Sequence, residues 1–253
     1  MEITNNFKKM VASLGTSKGR REEKCFIAEG TKCVMDTIKH FSCRYLLATA
    51  QWIEKNGHEL SGVNPIAVKR ADMERMTQLT TPTDVIAVYE IPETILDESG
   101  LSEELTIVLD RVQDPGNLGT IIRIADWFGI KNIICSKDTV DVYNPKVVQA
   151  TMGAISRVKV HYCDLVELLK THSDIPVYGT FLDGDNMYNM ELSPCGFLVM
   201  GNEGQGISEE VGEMVSRRLF IPSYPIGSPT SESLNVSMAT AIAVAEFRRR
   251  QMK

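Results

Sequence analysis

The chain has 253 residues, of which 43% are hydrophobic and 24% are charged, and its formal net charge is -6. This composition is typical of a globular protein with a buried core and excludes an intrinsically disordered chain. The length exceeds that of a usual single domain, so we expect two domains of unequal size. The acidic balance argues mildly against a nucleic-acid partner, because phosphate binding generally relies on an excess of lysine and arginine.

The amino-terminal segment reverses this charge balance. Residues 1–24 carry six basic side chains against three acidic ones, so this end of the chain is locally basic. A local basic patch can bind RNA even on an acidic protein, and we expect phosphate contacts from Lys18, Arg20, Arg21 and Lys24. The competing interpretation is a charged turn that contacts only water.

The first part of the chain predicts a small α/β fold. Residues 29–41 have the pattern of a helix. Residues 45–48, 65–68 and 85–89 are short apolar runs typical of strands. Helix and strands together fit a compact domain of the usual small size.

A linker is predicted after these elements. Residues 91–100 are acidic, contain Pro and Gly, and lack sustained periodicity. We therefore place a first domain at residues 1–92 and a second domain at residues 103–253.

The second domain predicts a parallel sheet with helices on both faces. Its strand-like runs are apolar throughout rather than alternating, which is typical of strands buried on both sides. These runs are residues 106–109, 132–135, 158–162, 177–181, 197–200 and 219–222. A final amphipathic helix is predicted because Met238, Ala241, Ile242 and Ala245 fall at i, i+3, i+4 and i+7.

The cysteines and the apolar segments exclude several classes of protein. Six cysteines are scattered without a CxxC pair, so we expect neither a metal site nor a thiol redox site. No signal peptide or long apolar run is visible, so we expect no membrane segment. A reducing cytoplasm is the predicted location.

The first of three segments with chemical potential is residues 110–123. It follows a predicted strand and opens a helix, with Asn117 in the turn and Arg123 in the helix. The turn leaves backbone amides near a helix N-terminus, where a phosphate or carboxylate binds well. The alternative is a helix cap followed by a solvated arginine.

The second segment, residues 197–207, places three glycines directly after a buried strand. Such glycines allow tight turning and close approach of the backbone to a ligand at the carboxyl end of a sheet. Glu203 lies in this turn and would repel a pyrophosphate, which favours a neutral or cationic ligand. The alternative is a plain loop.

The third segment comprises Ile221 and Pro222, a loop rich in Pro and Gly, and then Ser233, Asn235 and Ser237. The last three residues alternate, so in an extended stretch they face one way until the final helix begins. Helix capping explains Ser237 but leaves the other two without a role.

In their order along the chain and in the identity of their residues, these segments resemble the motifs of the SpoU, or TrmH, family of the SPOUT methyltransferase superfamily. The resemblance also includes residues 144–154. The first domain is similar to the ribosomal-protein-like substrate-binding domain that precedes many family members, through residues 18–21, 26–30 and 81–88.

The resemblance implies a carboxyl-terminal trefoil knot, a homodimer and S-adenosylmethionine-dependent methylation of a ribose 2'-hydroxyl in RNA. It assigns the cofactor to backbone groups of Gly201, Ile221 and Leu234. It assigns catalysis to Asn117, Arg123, Glu203, Ser233 and Asn235. Arg123 would serve either as the base or as the grip on a neighbouring phosphate.

The sequence leaves the substrate open. Ribosomal RNA is the first candidate and transfer RNA the second. A catalytically silent RNA-binding protein on the same fold and an α/β enzyme for a small phosphorylated substrate are the rival hypotheses. Ser223, where many relatives have Met, and a long loop over residues 221–234 leave the shape of the cofactor pocket open.

Overall fold

The computed structural model describes residues 3–60, 62–225 and 231–252. Residues 226–230, in the middle of the long loop noted above, lie outside the described residues. The chain forms two compact units, one of Met1–Glu93 with Asp141–Ser156 and the other of Thr94–Val140 with Arg157–Lys253. We refer to these as unit 1 and unit 2.

The described part of the chain alternates strands and helices along most of its length. Its strands are β1 (Cys25–Glu29), β2 (Cys43–Ala48), β3 (Ile66–Ala67), β4 (Val85–Glu90), β5 (Leu105–Leu109), β6 (Asn132–Ser136), β7 (Lys159–Cys163), β8 (Val177–Asn186), β9 (Gly196–Met200) and β10 (Arg217–Phe220). Its α-helices are α1 (Asn5–Ser13), α2 (Ser17–Glu23), α3 (Thr31–Thr37), α4 (Ala50–Asn56), α5 (Arg70–Met76), α6 (Pro115–Trp127), α7 (Pro145–Ala150), α8 (Leu165–Thr171), α9 (Glu209–Gly212) and α10 (Val236–Gln251).

Unit 1 is a small α/β fold around a four-stranded sheet of order β1-β4-β2-β3. The three predicted strands are present, but β1 was not predicted. All five of its residues are buried, so the run shows no alternation. The predicted helix over residues 29–41 is confirmed only in its middle, as α3.

The core of unit 1 draws on the amino-terminal helices as well as on the sheet. Val11 and Leu14 are completely buried against apolar residues of the strands and of α5. Burial of such aliphatic side chains stabilises the fold by about 1.5–3 kcal/mol each. The amino-terminal segment is therefore an integral part of unit 1.

Unit 1 also contains a segment from the middle of the chain, Asp141–Ser156, which leaves unit 2 after β6 and returns to it at β7. Its helix α7 packs against β1. The ring of Tyr143 lies 4.6 Å from that of Phe26, and Val147 and Val148 are buried. The sequence places this segment in the second domain by chain order, whereas the structure packs it with unit 1.

Unit 2 is built on a parallel six-stranded sheet of order β10-β8-β9-β5-β6-β7, flanked by helices. Each of the six predicted strand runs overlaps one of these strands, so the predicted fold class is confirmed. The apolar residues of β5, β6, β8 and β9 form its core with α8.

Helix α10 confirms the predicted final helix but not its expected buried face. Met238 is 58% exposed, and Ala241, Ile242 and Ala245 all keep part of their surface in contact with solvent. The residues that α10 buries are Val236, Ser237, Thr240, Ala243, Val244, Glu246 and Phe247. An apolar stripe thus remains uncovered along this helix in the single chain.

Candidate functional site

The three segments with chemical potential meet at the carboxyl edge of the unit 2 sheet. Strand β5 leads into α6, and its neighbour β9 leads into the loop of residues 201–206. Strand β10 lies in the same parallel sheet and leads into Ile221. Parallel strands end on one edge, which is where open α/β sheets bind their ligands.

The carboxylate of Glu203 occupies the anion site predicted near the start of α6. Its oxygens accept hydrogen bonds from the backbone amides of Gln113 (3.3 Å) and Asp114 (3.1 Å) and from Asn117 Nδ2 (3.0 Å). The predicted site therefore exists, but a side chain of the same chain fills it. Those amides are not free for an external phosphate.

This environment fixes the protonation state of Glu203. Partial burial acts to raise the pKa of its carboxyl, but the hydrogen bonds from Asn117 and from backbone amides outweigh burial and lower the pKa. The group is therefore ionised at neutral pH. A carboxylate with a lowered pKa is a weak proton acceptor, and its contacts suit positioning better than base catalysis.

A chain of side-chain hydrogen bonds joins all three segments. Glu203 accepts from Asn117, whose Oδ1 accepts from Asn235 Nδ2 at 2.9 Å. Asn235 Oδ1 in turn accepts from the backbone amide (3.0 Å) and hydroxyl (2.6 Å) of Ser237, and also from Met238. The cap of α10 is therefore Asn235, where the sequence suggested Ser237.

The remaining two predicted catalytic residues, Arg123 and Ser233, take no part in this series of hydrogen bonds. Arg123 is exposed on α6, and no described residue accepts a hydrogen bond from its guanidinium. Ser233 is also exposed, two residues before Asn235. The structure thus links Asn117, Glu203 and Asn235 and leaves Arg123 and Ser233 available to a ligand.

Gly201 is required by the loop itself. A Cβ atom on Gly201 would lie 2.2 Å from the backbone of both Gly206 and Ile207, a separation that real atoms do not adopt. The sequence attributed this glycine to close approach of a ligand, but the loop's own return strand already forbids a side chain there. The loop closes through paired hydrogen bonds of 2.9 Å between Asn202 and Gly206.

The other two predicted cofactor residues fit a ligand that is held by backbone groups and apolar contacts. No described residue hydrogen-bonds to the backbone of Ile221 or Leu234. Leu234 is 50% exposed, and Ile221 is partly exposed. Free backbone groups beside apolar side chains are what an adenosine moiety requires.

Sequence reasoning missed the segment between these two loops. Strand β8 lies between β9 and β10, and the pairing with β10 jumps from Gly179 to Asp185. Residues 180–184 therefore leave the ladder at the carboxyl edge, where the Thr180 hydroxyl lies 3.8 Å from the Met200 sulfur. Only the strand order, which the sequence does not display, reveals this placement.

The predicted RNA-binding residues of unit 1 divide into two kinds. Lys18, Arg21 and Lys24 are exposed on or just after α2. Arg20 is buried: its guanidinium donates to Asp141 Oδ2 (2.6 and 2.9 Å) and to the carbonyl oxygen of Leu14 (2.9 Å). Arg20 therefore serves the fold, and we remove it from the RNA-binding set.

Two negative observations apply to the described ranges. No cluster of three or more His, Cys, Asp or Glu side chains there has the arrangement needed to hold a metal ion. No helix there has the length and apolar character needed to cross a membrane.

Two family models match the chain. Residues 104–245 match the SpoU rRNA Methylase family, and residues 5–87 match the MRM3-like substrate binding domain. The first match alone covers more than half of the sequence.

Individual relatives extend over nearly the whole chain. The 23S rRNA (guanosine(2553)-2'-O)-methyltransferase RlmP of Bacillus subtilis is 29% identical over 93% of both chains. A solved structure of a putative TrmH-family RNA methyltransferase from Porphyromonas gingivalis is 38% identical, with a TM-score of 0.86 over 99% of this chain and 100% of its own. An AdoMet-bound rRNA methyltransferase from Sinorhizobium meliloti is 28% identical, with a TM-score of 0.86 over 100% of this chain and 98% of its own.

Proposed function

Because the chain belongs to the SpoU rRNA Methylase family, we propose that it transfers a methyl group from S-adenosylmethionine to a ribose 2'-hydroxyl of ribosomal RNA. The observation that carries this proposal is the hydrogen-bonded chain from Glu203 through Asn117 to Asn235 at the carboxyl edge of the sheet. Full-length similarity to an rRNA 2'-O-methyltransferase supports the same substrate class.

When bound, S-adenosylmethionine supplies a sulfonium methyl group whose departure leaves a neutral sulfur. The protein therefore has to align two reactants rather than stabilise a leaving anion, and the proton of the 2'-hydroxyl passes to a base or to water as the new O–C bond forms. Glu203 and Asn117 hold Asn235 at the start of α10, two residues after the exposed Ser233. Arg123 faces solvent without an acceptor in the described chain, so its guanidinium is free to grip an RNA phosphate.

Cofactor binding is proposed at the loops after β9 and β10. Gly201, Ile221 and Leu234 are the proposed contacts. Residues 180–184 are added because β8 lies between β9 and β10, and these residues leave the ladder with β10 at the carboxyl edge. The backbone groups of Ile221 and Leu234 have no hydrogen-bond partner among the described residues and so suit a ligand, whereas Gly201 supports the pocket by keeping its loop tightly closed.

RNA selection is proposed for unit 1, through Lys18, Arg21 and Lys24. These three exposed cations support the proposal, together with the match to a substrate-binding domain over residues 5–87. We keep the proposed division at residues 1–92 and 103–253 as a division of roles.

A homodimer is proposed because two helices of unit 2 carry uncovered apolar side chains. Met238 on α10 is 58% exposed, and Trp127 on α6, the helix against which α10 packs, is 83% exposed. A second copy of the chain would cover these side chains, since apolar stripes of this kind are typical of interfaces. Met238→Glu should shift the molar mass measured by light scattering from two chains to one, whereas Glu210→Lys, on exposed α9, should not; a wild-type monomer would contradict the proposal.

The trefoil knot and the cytoplasmic location remain our proposals. The parallel order of β10, β8, β9 and β5, with α10 returning to α6, is compatible with a threaded carboxyl terminus. A reducing location agrees with the six free cysteines.

The decisive experiment is methyl transfer by the purified chain. Radiolabelled S-adenosylmethionine is supplied with ribosomal RNA or with transfer RNA from cells that lack the gene, and 2'-O-methyl positions are mapped in both. We expect label in ribosomal RNA at a single ribose that is methylated in cells with the gene. Label in transfer RNA alone would replace the substrate, and calorimetric absence of cofactor binding would favour a silent RNA-binding protein.

A further inference from the structure

Arg111, two residues after β5 and at the start of the 110–123 segment, makes an unusual set of contacts. Its φ is 58°, in the left-handed region. This backbone conformation costs free energy for residues other than glycine, and the cost is smallest for Asn and Asp. Such outliers persist when surrounding contacts impose them, and they concentrate at functional sites.

Arg111 contacts side chains near both ends of the 201–206 loop. Its backbone oxygen accepts from Asn202 Nδ2 at 2.7 Å, and its Nη1 donates to Gln205 Oε1 at 3.3 Å. Asn202 Oδ1 accepts from the amides of Gly204 and Gln205 at 3.0 Å each. One residue of the β5 segment therefore holds the first and the last polar side chain of the 201–206 loop.

The guanidinium is also tied to the base of the loop. Arg111 Nε is buried, has no hydrogen-bond partner among the described residues, and lies 3.5 Å from Asp110 Oδ1. Asp110 is buried and accepts from the backbone amide of Ser208, just beyond the loop, at 2.6 Å. Nε is therefore held by a charge contact and not by a hydrogen bond, which is costly for a buried donor, so the retention of this arrangement points to a function of the side chain.

We propose that Arg111 is a positioning residue for the cofactor: its carbonyl and guanidinium hold the 201–206 loop in the shape that receives S-adenosylmethionine, and its side chain thereby sets cofactor affinity. This inference rests on the proposed assignment of the cofactor to the loop that begins at Gly201. Arg111 touches the loop rather than the reacting atoms, so its effect is on binding and not on the chemical step.

Calorimetry of S-adenosylmethionine binding to the full chain tests this inference. Arg111→Asn removes the guanidinium while suiting the left-handed backbone. Because the buried Asp110 loses its ion pair, we expect a lower melting temperature, and an affinity about tenfold lower when it is measured well below that temperature. With saturating cofactor, kcat should return to the wild-type value while the cofactor KM stays raised. A purely structural role would instead lower kcat per folded molecule and leave the cofactor KM unchanged.

Gln205 supplies a second variant that leaves Asp110 untouched. Gln205→Met should weaken cofactor binding by roughly threefold to tenfold, and the double variant should bind no more weakly than Arg111→Asn alone, because both changes break one contact. The matched control is Arg217→Asn, an exposed arginine at the start of β10 on the opposite edge of the sheet, which should bind as the wild type does.

Wild-type cofactor affinity in Arg111→Asn would overturn the inference. A double variant whose loss of affinity equals the product of the losses in Arg111→Asn and Gln205→Met would also overturn it. A loss of RNA affinity alone would also overturn it and assign Arg111 to the substrate. Failure of the proposed function is separate: it appears as a wild-type protein that neither binds the cofactor nor transfers a methyl group.

Discussion

Two carboxylates of unit 2 have lowered pKa values for different reasons, and the difference separates positioning from fold stability. Glu203 is held by neutral donors, the amides of two backbone groups and of Asn117. Glu246 on α10 is held by two cations, Arg249 and Arg250, at 2.7 Å each, and its pKa falls to about 2.

The partners decide what each carboxylate can do. Arg250 also donates to the carbonyl oxygens of Met187, Tyr188 and Met190, so Glu246 anchors the end of α10 to a neighbouring turn. Among the described residues, no cation contacts Glu203, and no acid pairs with Arg123. Charges paired inside the chain support the fold, and an exposed charge without a described partner, such as Arg123 on α6, remains available to RNA.

The largest effect is expected at that unpaired charge. Arg123→Ala should reduce methyl transfer by about 10²- to 10³-fold, because no other described side chain takes its place at this position of α6. Cofactor affinity measured by calorimetry should stay within error of the wild type. Arg249→Ala, which removes an exposed but paired arginine, is the control; loss of cofactor binding in Arg123→Ala would contradict the assignment.

The next effect tests the neutral set of donors around Glu203. Glu203→Gln places an amide group against the amides of Gln113 and Asp114, which should displace Asn117 and Asn235 and slow single-turnover transfer on the order of tenfold to a hundredfold. The free energy of unfolding should fall by less than it does for Glu246→Gln, because Glu203 is exposed and solvent screens its hydrogen bonds. Full activity in this variant would show that the chain of hydrogen bonds has no positioning role.

The opposite pattern is expected for Glu246. Glu246→Gln should lower the free energy of unfolding by about 1–3 kcal/mol at pH 7, measured by urea denaturation, without changing the rate of methyl transfer per folded molecule. Because the folded pKa is about 2 and lies below the unfolded value, the contribution is present above about pH 4 and lost as the pH falls towards 2. A constant difference between variant and wild type across that range would refute the pairing.

The smallest effect on RNA binding is expected in unit 1, where the exposed Arg21 lies next to the buried and paired Arg20. Arg21→Ala should reduce the salt dependence of RNA binding by about one phosphate contact and leave stability unchanged. Arg20→Ala should instead cost about 2 kcal/mol of unfolding free energy by leaving Asp141 and the Leu14 carbonyl without their donor. Equal salt slopes for Arg21→Ala and wild type would remove α2 from the proposed RNA contact.

The strands of unit 2 could be predicted from the sequence because their runs are apolar and bounded by turn residues. The site residues could be predicted because the order and identity of the residues in the three segments resemble those of a known family. The strand register and the packing that bring these residues together could not be predicted from the sequence. The burial of Arg20 depends on Asp141, 121 positions away. The outward face of α10 depends on which neighbours it meets, since an apolar stripe alone does not say whether the same chain covers it.

The placement of residues 141–156 in unit 1 has a consequence for synthesis. When the first 93 residues have left the ribosome, Tyr143, Val147 and Val148 have not yet been made, so unit 1 still lacks part of its apolar interior. The packing of unit 1 is completed only when residue 156 has emerged, by which point β5 and β6 of unit 2 also exist. The two units are thus expected to mature together during translation, and a cut near residue 93 would leave each piece with apolar surface that the other normally completes.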